Sequence, residues 1–307
     1  MRLSGIALTL SLAATAGYAA APGGPQPWTW ELGLEGVSAA RGKGPGAPIG
    51  QDVGLLNPFV SGDSFDFNRR FGGNVWLRAR QGAFAIEARY FGGFHFNSSL
   101  DGTAPLDWFI SGNPGVALGD GTNLLPFSAS YDSRLHSVEG NVRWYVLPQF
   151  AVFGGVRWLE LKETLGFVSD VTVFQLDTTS RGVGPQVGLD WRAIVPADAH
   201  GFFLDFDGRV GWLFAQQSAS FQLTRGAPVV GSGSSDQGMP VAELGATVGL
   251  QVTPNAEVRL GYRALHLGGV ALAPVQVEHT SFAAGTVDIV HDNLWIQGAT
   301  LGFVMRY

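Results

Sequence analysis

In an extended chain successive side chains point to opposite faces, so the position of each charge, odd or even, decides which face must meet a polar environment. Read this way, ten segments of the chain keep their charges on one face only. Glu31, Arg78, Arg80, Glu87, Arg89, Glu139, Arg143, Arg157 and Asp190 all stand opposite an apolar row. So do Arg192, Asp205, Asp207, Arg209, Glu243, Glu257, Arg259, Arg263 and Arg306. The segment 202–214, for example, sets Phe202, Leu204, Phe206, Val210, Trp212 and Phe214 against Asp205, Asp207 and Arg209. Period-two alternation marks strands with one apolar side, and no strand centre carries a charge on that side. In lipid an arginine near the midplane costs on the order of 2–4 kcal/mol, so a lipid-facing side has to be this clean.

The connections between the segments point the same way. Tight ones fall near Gln81, Pro148, Ala197 and Pro254, and long ones near Gly46, Gly115, Val171, Gly233 and Val275. Strict alternation of short and long connections is the pattern of a membrane barrel, with short periplasmic turns and long extracellular loops. Backbone groups left unpaired in hydrocarbon cost several kcal/mol, so strands cross a membrane only in a sheet that closes on itself. The expected fold is therefore all-β, a closed antiparallel transmembrane barrel. About ten strands of roughly ten residues fit the hydrocarbon layer, with twelve as the alternative if 171–176 and 218–224 add a pair. The long stretches 39–68, 97–130, 164–180, 225–238 and 268–292 read as loops. In the third strand Phe84, Ile86, Ala88, Tyr90 and Phe94 oppose Glu87, Arg89 and His95. In the fifth, Leu159 and Leu161 take the polar parity, which suggests a bulge after Trp158. Trp28, Trp30, Trp144, Trp158, Trp191, Trp212, Tyr262 and Tyr307 lie near strand ends, where interfacial aromatic girdles belong.

Arg2, the apolar run from Leu3 to Ala14 and the small residues up to Ala19 form a secretory signal, with cleavage expected before Ala20. Residues 1–19 are thus set apart from a single barrel domain over 20–307, exported to the outer membrane of a bacterium. Without Arg2 the nineteen basic residues become eighteen against 25 acidic ones, a net charge of −7 that argues against a nucleic-acid partner. The absence of cysteine excludes a small disulfide-stapled fold. Lys43 and Lys162 are the only lysines, and the remaining cations are arginines, whose fork suits paired carboxylates in a confined space.

The chain ends on an amphipathic strand, Ala299, Leu301, Phe303, Met305 and Tyr307 on one face, which resembles the C-terminal signal by which barrel-insertion machinery recognises its substrates. YDSRLHSVEGNVRWYV (131–146), GVRWLELKE (155–163) and VTPNAEVRLGYRALHLGGVALAP (252–274) resemble segments of a pore-forming outer-membrane barrel family. That family includes a major outer-membrane protein of intracellular Gram-negative pathogens. The resemblance runs from the fourth strand to the C-terminus and implies a pore-forming barrel. It carries over no catalytic or ligand-binding residue, and the cysteines of the family's cross-linked members have no counterpart here.

These observations lead to a porin-like pore for small polar solutes or ions. Its expected lining is Arg78, Arg80, Glu87, Arg89, Glu139, Arg143 and Arg157, with Asp205, Asp207, Arg209, Glu243, Glu257, Arg259 and Arg263. Rings of fixed charge in such a lumen set ion selectivity. The alternative is a largely closed structural or adhesive barrel whose charges pair with one another. A barrel hydrolase working at the rim is less favoured: His95, His136 and His266 with Asp132 and Asp66 could build a His–Asp pair, but no nucleophile motif accompanies them. Arg69 and Arg70 could meet lipopolysaccharide phosphates. Asp101-Gly102-Thr103 and Asp120-Gly121-Thr122 have the flavour of calcium loops, yet Asp-Gly is first of all a turn dipeptide, so neither a metal nor a cofactor is expected.

Overall fold

The computed structural model describes residues 27–52, 58–104, 108–110, 125–170, 172–194, 201–225 and 227–307. The signal segment 1–19 and the connection around Ala197 lie outside the described residues. Ten long strands form the wall: β1 (Thr29–Arg41), β2 (Arg70–Gln81), β3 (Phe84–Ala104), β4 (Leu125–Leu147) and β5 (Phe150–Ser169), then β6 (Val173–Ile194), β7 (Phe202–Arg225), β8 (Ala227–Thr253), β9 (Ala256–Val270) and β10 (Asp292–Arg306). Each pairs antiparallel with its neighbours in sequence, and β1 closes the ring on β10 from Glu31 opposite Arg306 to Arg41 opposite Ile296. The sheet has no free edge around the wall, so its backbone groups are satisfied without water. The ends carrying both termini and the tight turns at 82–83, 148–149 and 254–255 form the periplasmic rim.

The strands run from 12 to 27 residues, well beyond the ten that a bilayer requires. The segments 173–176 and 218–224, weighed as an extra pair, are instead the upper ends of β6 and β7, so the count stays at ten. Two expected long loops, 164–180 and 225–238, are correspondingly hairpin tops in which the ladder continues to Val168 opposite Val173 and to Arg225 opposite Ala227. Asp101-Gly102-Thr103 likewise lies inside β3, paired with Ser128, Phe127 and Pro126 rather than in a loop, while 120–122 falls outside the described residues.

The projecting part inverts the polarity of the wall without changing its register. In β5 the pairing with β6 runs unbroken from Phe150 to Val168, so the bulge expected after Trp158 does not occur. Leu159, Leu161, Leu165 and Phe167 follow Arg157 on the inner face, each with 0–1% exposure, while Lys162 faces outward and is exposed. Within the bilayer the outer face must be apolar and the interior is free to be polar. Once the wall leaves the membrane its outside meets water and its inside becomes an ordinary hydrophobic core.

A real bulge sits in β3 instead. The pairing with β4 shifts between Gly92 and Phe94, and Gly92 and Gly93 have φ of 156° and 77°. Left-handed backbone at Gly93 is open to glycine at little cost. The extra residue turns Phe94 inward, stacked with Phe96 at 5.7 Å, and turns His95 outward, reversing the sides assigned to both from simple alternation.

Parts of three connections, β1–β2, β3–β4 and β9–β10, fill the mouth above. Short strands at Pro48–Asp52, Pro58–Ser61 and Trp108–Ile110 form a small sheet, and helix α1 (Ala273–Glu278) descends from the β9–β10 connection. Ile49, Val60, Phe65, Ala273 and Val277 from these elements join Phe127, Phe167, Phe174 and Phe221 of the wall in one buried cluster.

Candidate functional site in the lumen

The alternation that keeps the lipid face clean delivers the charged side chains to one enclosed space. Leu244, Val248, Leu260 and Leu301 are about half or more exposed on the outside, whereas Glu87, Arg89, Glu139, Arg143, Arg157 and Glu243 are buried. Trp30, Trp144, Trp191, Trp212, Tyr262 and Tyr307 also face outward and are exposed, as girdle residues require.

The charges interlock across the barrel. Arg89 on β3 reaches Glu243 on β8 at 2.6 Å, and these strands are five apart in either direction round the ring. Arg89 also holds Glu139 at 3.1 Å. From β5 Arg157 meets Glu243 at 3.0 Å, and from β7 Arg209 meets Glu139 at 2.8 Å. Arg263 bridges Glu243 at 2.7 Å and Asp207 at 2.9 Å. Pairing thus joins opposite walls as well as neighbouring strands. Gln186 donates to Glu139 at 2.9 Å, and Asn74 to Glu35 at 2.7 Å.

Nearer the periplasm a second tier holds Arg78 between Glu31 at 2.9 Å and Glu87 at 2.6 Å, with Arg143 on Glu87 at 2.7 Å. Arg192 grips Asp205 with two N–H groups at 2.8 Å and also reaches Glu257. Arg259 shares Asp205 at 2.6 Å. Arg80 makes no carboxylate pair among the described residues; it lies 3.8 Å over the Tyr145 ring and donates to the Gly82 carbonyl. The other charged side chains named here take part in these ion pairs on the enclosed side of the wall, and Arg80 stands at its periplasmic rim. A cavity of about 320 Å³ remains at this end, walled by nine arginines and by six carboxylates.

Above the central ion pairs the lumen is apolar. Leu135, Leu159, Leu213, Met239, Leu265 and Leu267, from β4, β5, β7, β8 and β9, each show 0% exposure, and Phe94, Leu161, Val241, Leu294 and Ile296 show 1–3%. Higher still stands a buried polar knot that alternation beyond Leu159 would have revealed had it been followed upward. Arg41 donates to Glu163 at 2.6 Å and to the Tyr131 hydroxyl at 2.7 Å, and Tyr131 donates to Glu163 at 2.7 Å. The Ala273 amide at the start of α1 closes the set on Glu163 at 2.9 Å.

His95, His136 and His266 each have a separate partner among the described residues. His95 pairs with Asp132 at 2.8 Å on the outer surface, both being well exposed. His136 bonds the Tyr90 hydroxyl at 2.8 Å, His266 packs on Trp295, and Asp66 pairs with Lys43 at 2.8 Å. Arg70 contacts Asn97 on the exposed upper wall.

A closed ten-stranded ring with a lipid-facing apolar belt and a charged interior defines a bacterial outer-membrane β-barrel. One solved structure agrees with the fold of the wall. The outer membrane protease OmpT from Escherichia coli superposes with a TM-score of 0.54 at 11% identity, over 92% of this chain and 97% of that one. The translocator domain of the autotransporter NalP from Neisseria meningitidis gives 0.43 at 11% identity, over 93% and 89%. No protein-family model and no curated protein matches the sequence.

Proposed function

We propose that this protein is a closed, structural outer-membrane barrel that anchors an elaborated extracellular platform, rather than an open pore. The observation that carries the reading is the apolar layer above the ion pairs. Its inward side chains come from most of the wall and have essentially no accessible surface, so no water-filled path borders them. A solute crossing this level would have to displace a packed core. The ion pairs beneath strengthen the case, because Arg89 and Glu243 span the full width of the lumen. The strand extensions and the small sheet above form the part offered to the exterior, which suits an adhesive or scaffolding role. The motif resemblance to a pore-forming family favours the opposite reading, and conductance separates the two. Catalysis is not part of the proposal; the side chains of the His95–Asp132 pair stand well exposed on the outer wall.

Refolded protein in a planar bilayer is expected to stay electrically silent at moderate voltages. Discrete, reproducible single-channel steps from protein that migrates as a folded species would overturn the closed-barrel reading in favour of the porin.

A further inference from the structure

We infer that the cavity at the periplasmic end of the lumen is a binding site for a small multivalent oxyanion, carrying phosphate or carboxylate groups. This goes beyond the closed-barrel reading, because a site that opens to the periplasm needs no path to the outer surface. The cavity, about 320 Å³, begins at the rim beside Trp30, Pro148, Gln149 and Arg306 and ends on Asn74, Arg89 and Arg209. That volume suits a compact organic or inorganic anion.

Three features select the charge of the ligand. The first is balance: nine arginines and six carboxylates (Glu31, Glu35, Glu87, Asp190, Asp205 and Asp207) line the wall, an excess of three positive charges. Counting also the groups buried behind the wall, Arg157 with Glu139, Glu243 and Glu257, an excess of one remains. The second is unmet donor capacity. Arg143, Arg209 and Arg263 are 93–98% buried, and in each the Nε–H has no acceptor among the described residues. A guanidinium offers five donors and no acceptor, so further partners must be acceptors. The wall carboxylates are already committed, Asp205 to Arg192 and Arg259, and Asp207 to Arg209 and Arg263. The third is Arg80, which stands at the entrance with its charge unpaired by any carboxylate among the described residues.

Planar forks of this kind match phosphate and carboxylate oxygens in pairs, which distinguishes the site from a generic positive field. The surrounding barrel excludes water on its other sides and focuses that field toward the open end. An oxyanion in the cavity would meet guanidinium groups from several strands at once.

The test uses the full mature barrel refolded in neutral detergent, with inorganic pyrophosphate as the phosphate probe and citrate as the carboxylate probe. Titration calorimetry at near-physiological salt is expected to show saturable binding of at least one probe, with a polyamine of similar size giving none. Arg80→Gln and Arg259→Gln are each expected to weaken binding tenfold or more. Asp205→Asn removes a competing negative charge and is expected to tighten it severalfold. The last two variants break the same ion pair, so loosening of the wall alone would shift both in one direction, whereas an anion site shifts them oppositely. Among the described residues Arg80 makes only a carbonyl bond and a ring contact, so its variant tests the site even if the others fail to refold. Absence of saturation by either probe, indifference to Arg80→Gln, or weakening by Asp205→Asn would each overturn the inference. Binding with or without channel activity keeps it separate from the question of conductance.

Discussion

Glu243 offers the sharpest test of whether the lumen is dry. Its side chain has no exposure and accepts from three guanidinium groups, Arg89 at 2.6 Å, Arg263 at 2.7 Å and Arg157 at 3.0 Å. Glu243→Gln keeps the shape but removes the charge, and turns an amide N–H₂ toward donors that cannot accept it. Removing one partner of a buried ion pair costs about 3–5 kcal/mol, chiefly because the remaining charge is stranded away from water. Here the stranding is incomplete: Arg89 keeps Glu139 at 3.1 Å, Arg263 keeps Asp207 at 2.9 Å, and Arg157 lies 3.6 Å from Glu139. The expected loss is therefore at the lower end, about 3 kcal/mol. Arg181→Gln is the control: Arg181 pairs with Glu160 on the outer surface and its side chain is 56% exposed. An exposed pair of this kind is worth about 0.2–1 kcal/mol. Urea unfolding in micelles, followed by tryptophan fluorescence with refolding to establish reversibility, gives both values from the midpoint and slope. If Glu243→Gln costs no more than Arg181→Gln, the carboxylate was hydrated, and the picture of a sealed charged layer fails.

Two further substitutions probe the wall. Val248→Arg places a charge on the lipid face, where Val248 is half exposed, and should cost on the order of 2–4 kcal/mol if near the midplane and impair insertion into vesicles. Thr247→Arg points inward beside Asp205, its cross-strand neighbour, and should insert far better; equal defects would refute the assigned faces. At the bulge, Gly93→Ala puts a Cβ on a backbone with φ of 77° and should lower stability by roughly 1–2 kcal/mol, read from the shift of the urea midpoint. An unchanged midpoint would mean that the bulge is not held in this conformation.

Alternation, read together with the connection lengths, indicated an antiparallel barrel of about ten strands, with twelve left open, and set Arg78, Glu87, Arg143, Asp207 and Arg263 on the side away from lipid, because a lipid-facing surface tolerates no charge and so writes its parity into every segment. Tertiary structure decided what that pattern leaves open. Leu159 and Leu161 looked out of step only while the membrane was assumed to cover the whole strand; their burial depends on where the wall emerges into water, which is a property of the assembled ring. The bulge at Gly92 and Gly93 is a pairing shift against β4, invisible in β3 alone. Whether the lumen is open rests on distances between side chains from strands far apart in sequence, such as Arg89 and Glu243. Those distances follow from the circumference, the tilt and the packing of the closed barrel. Period two fixes the face on which a charge lies, but only closure of the sheet sets what stands across from it.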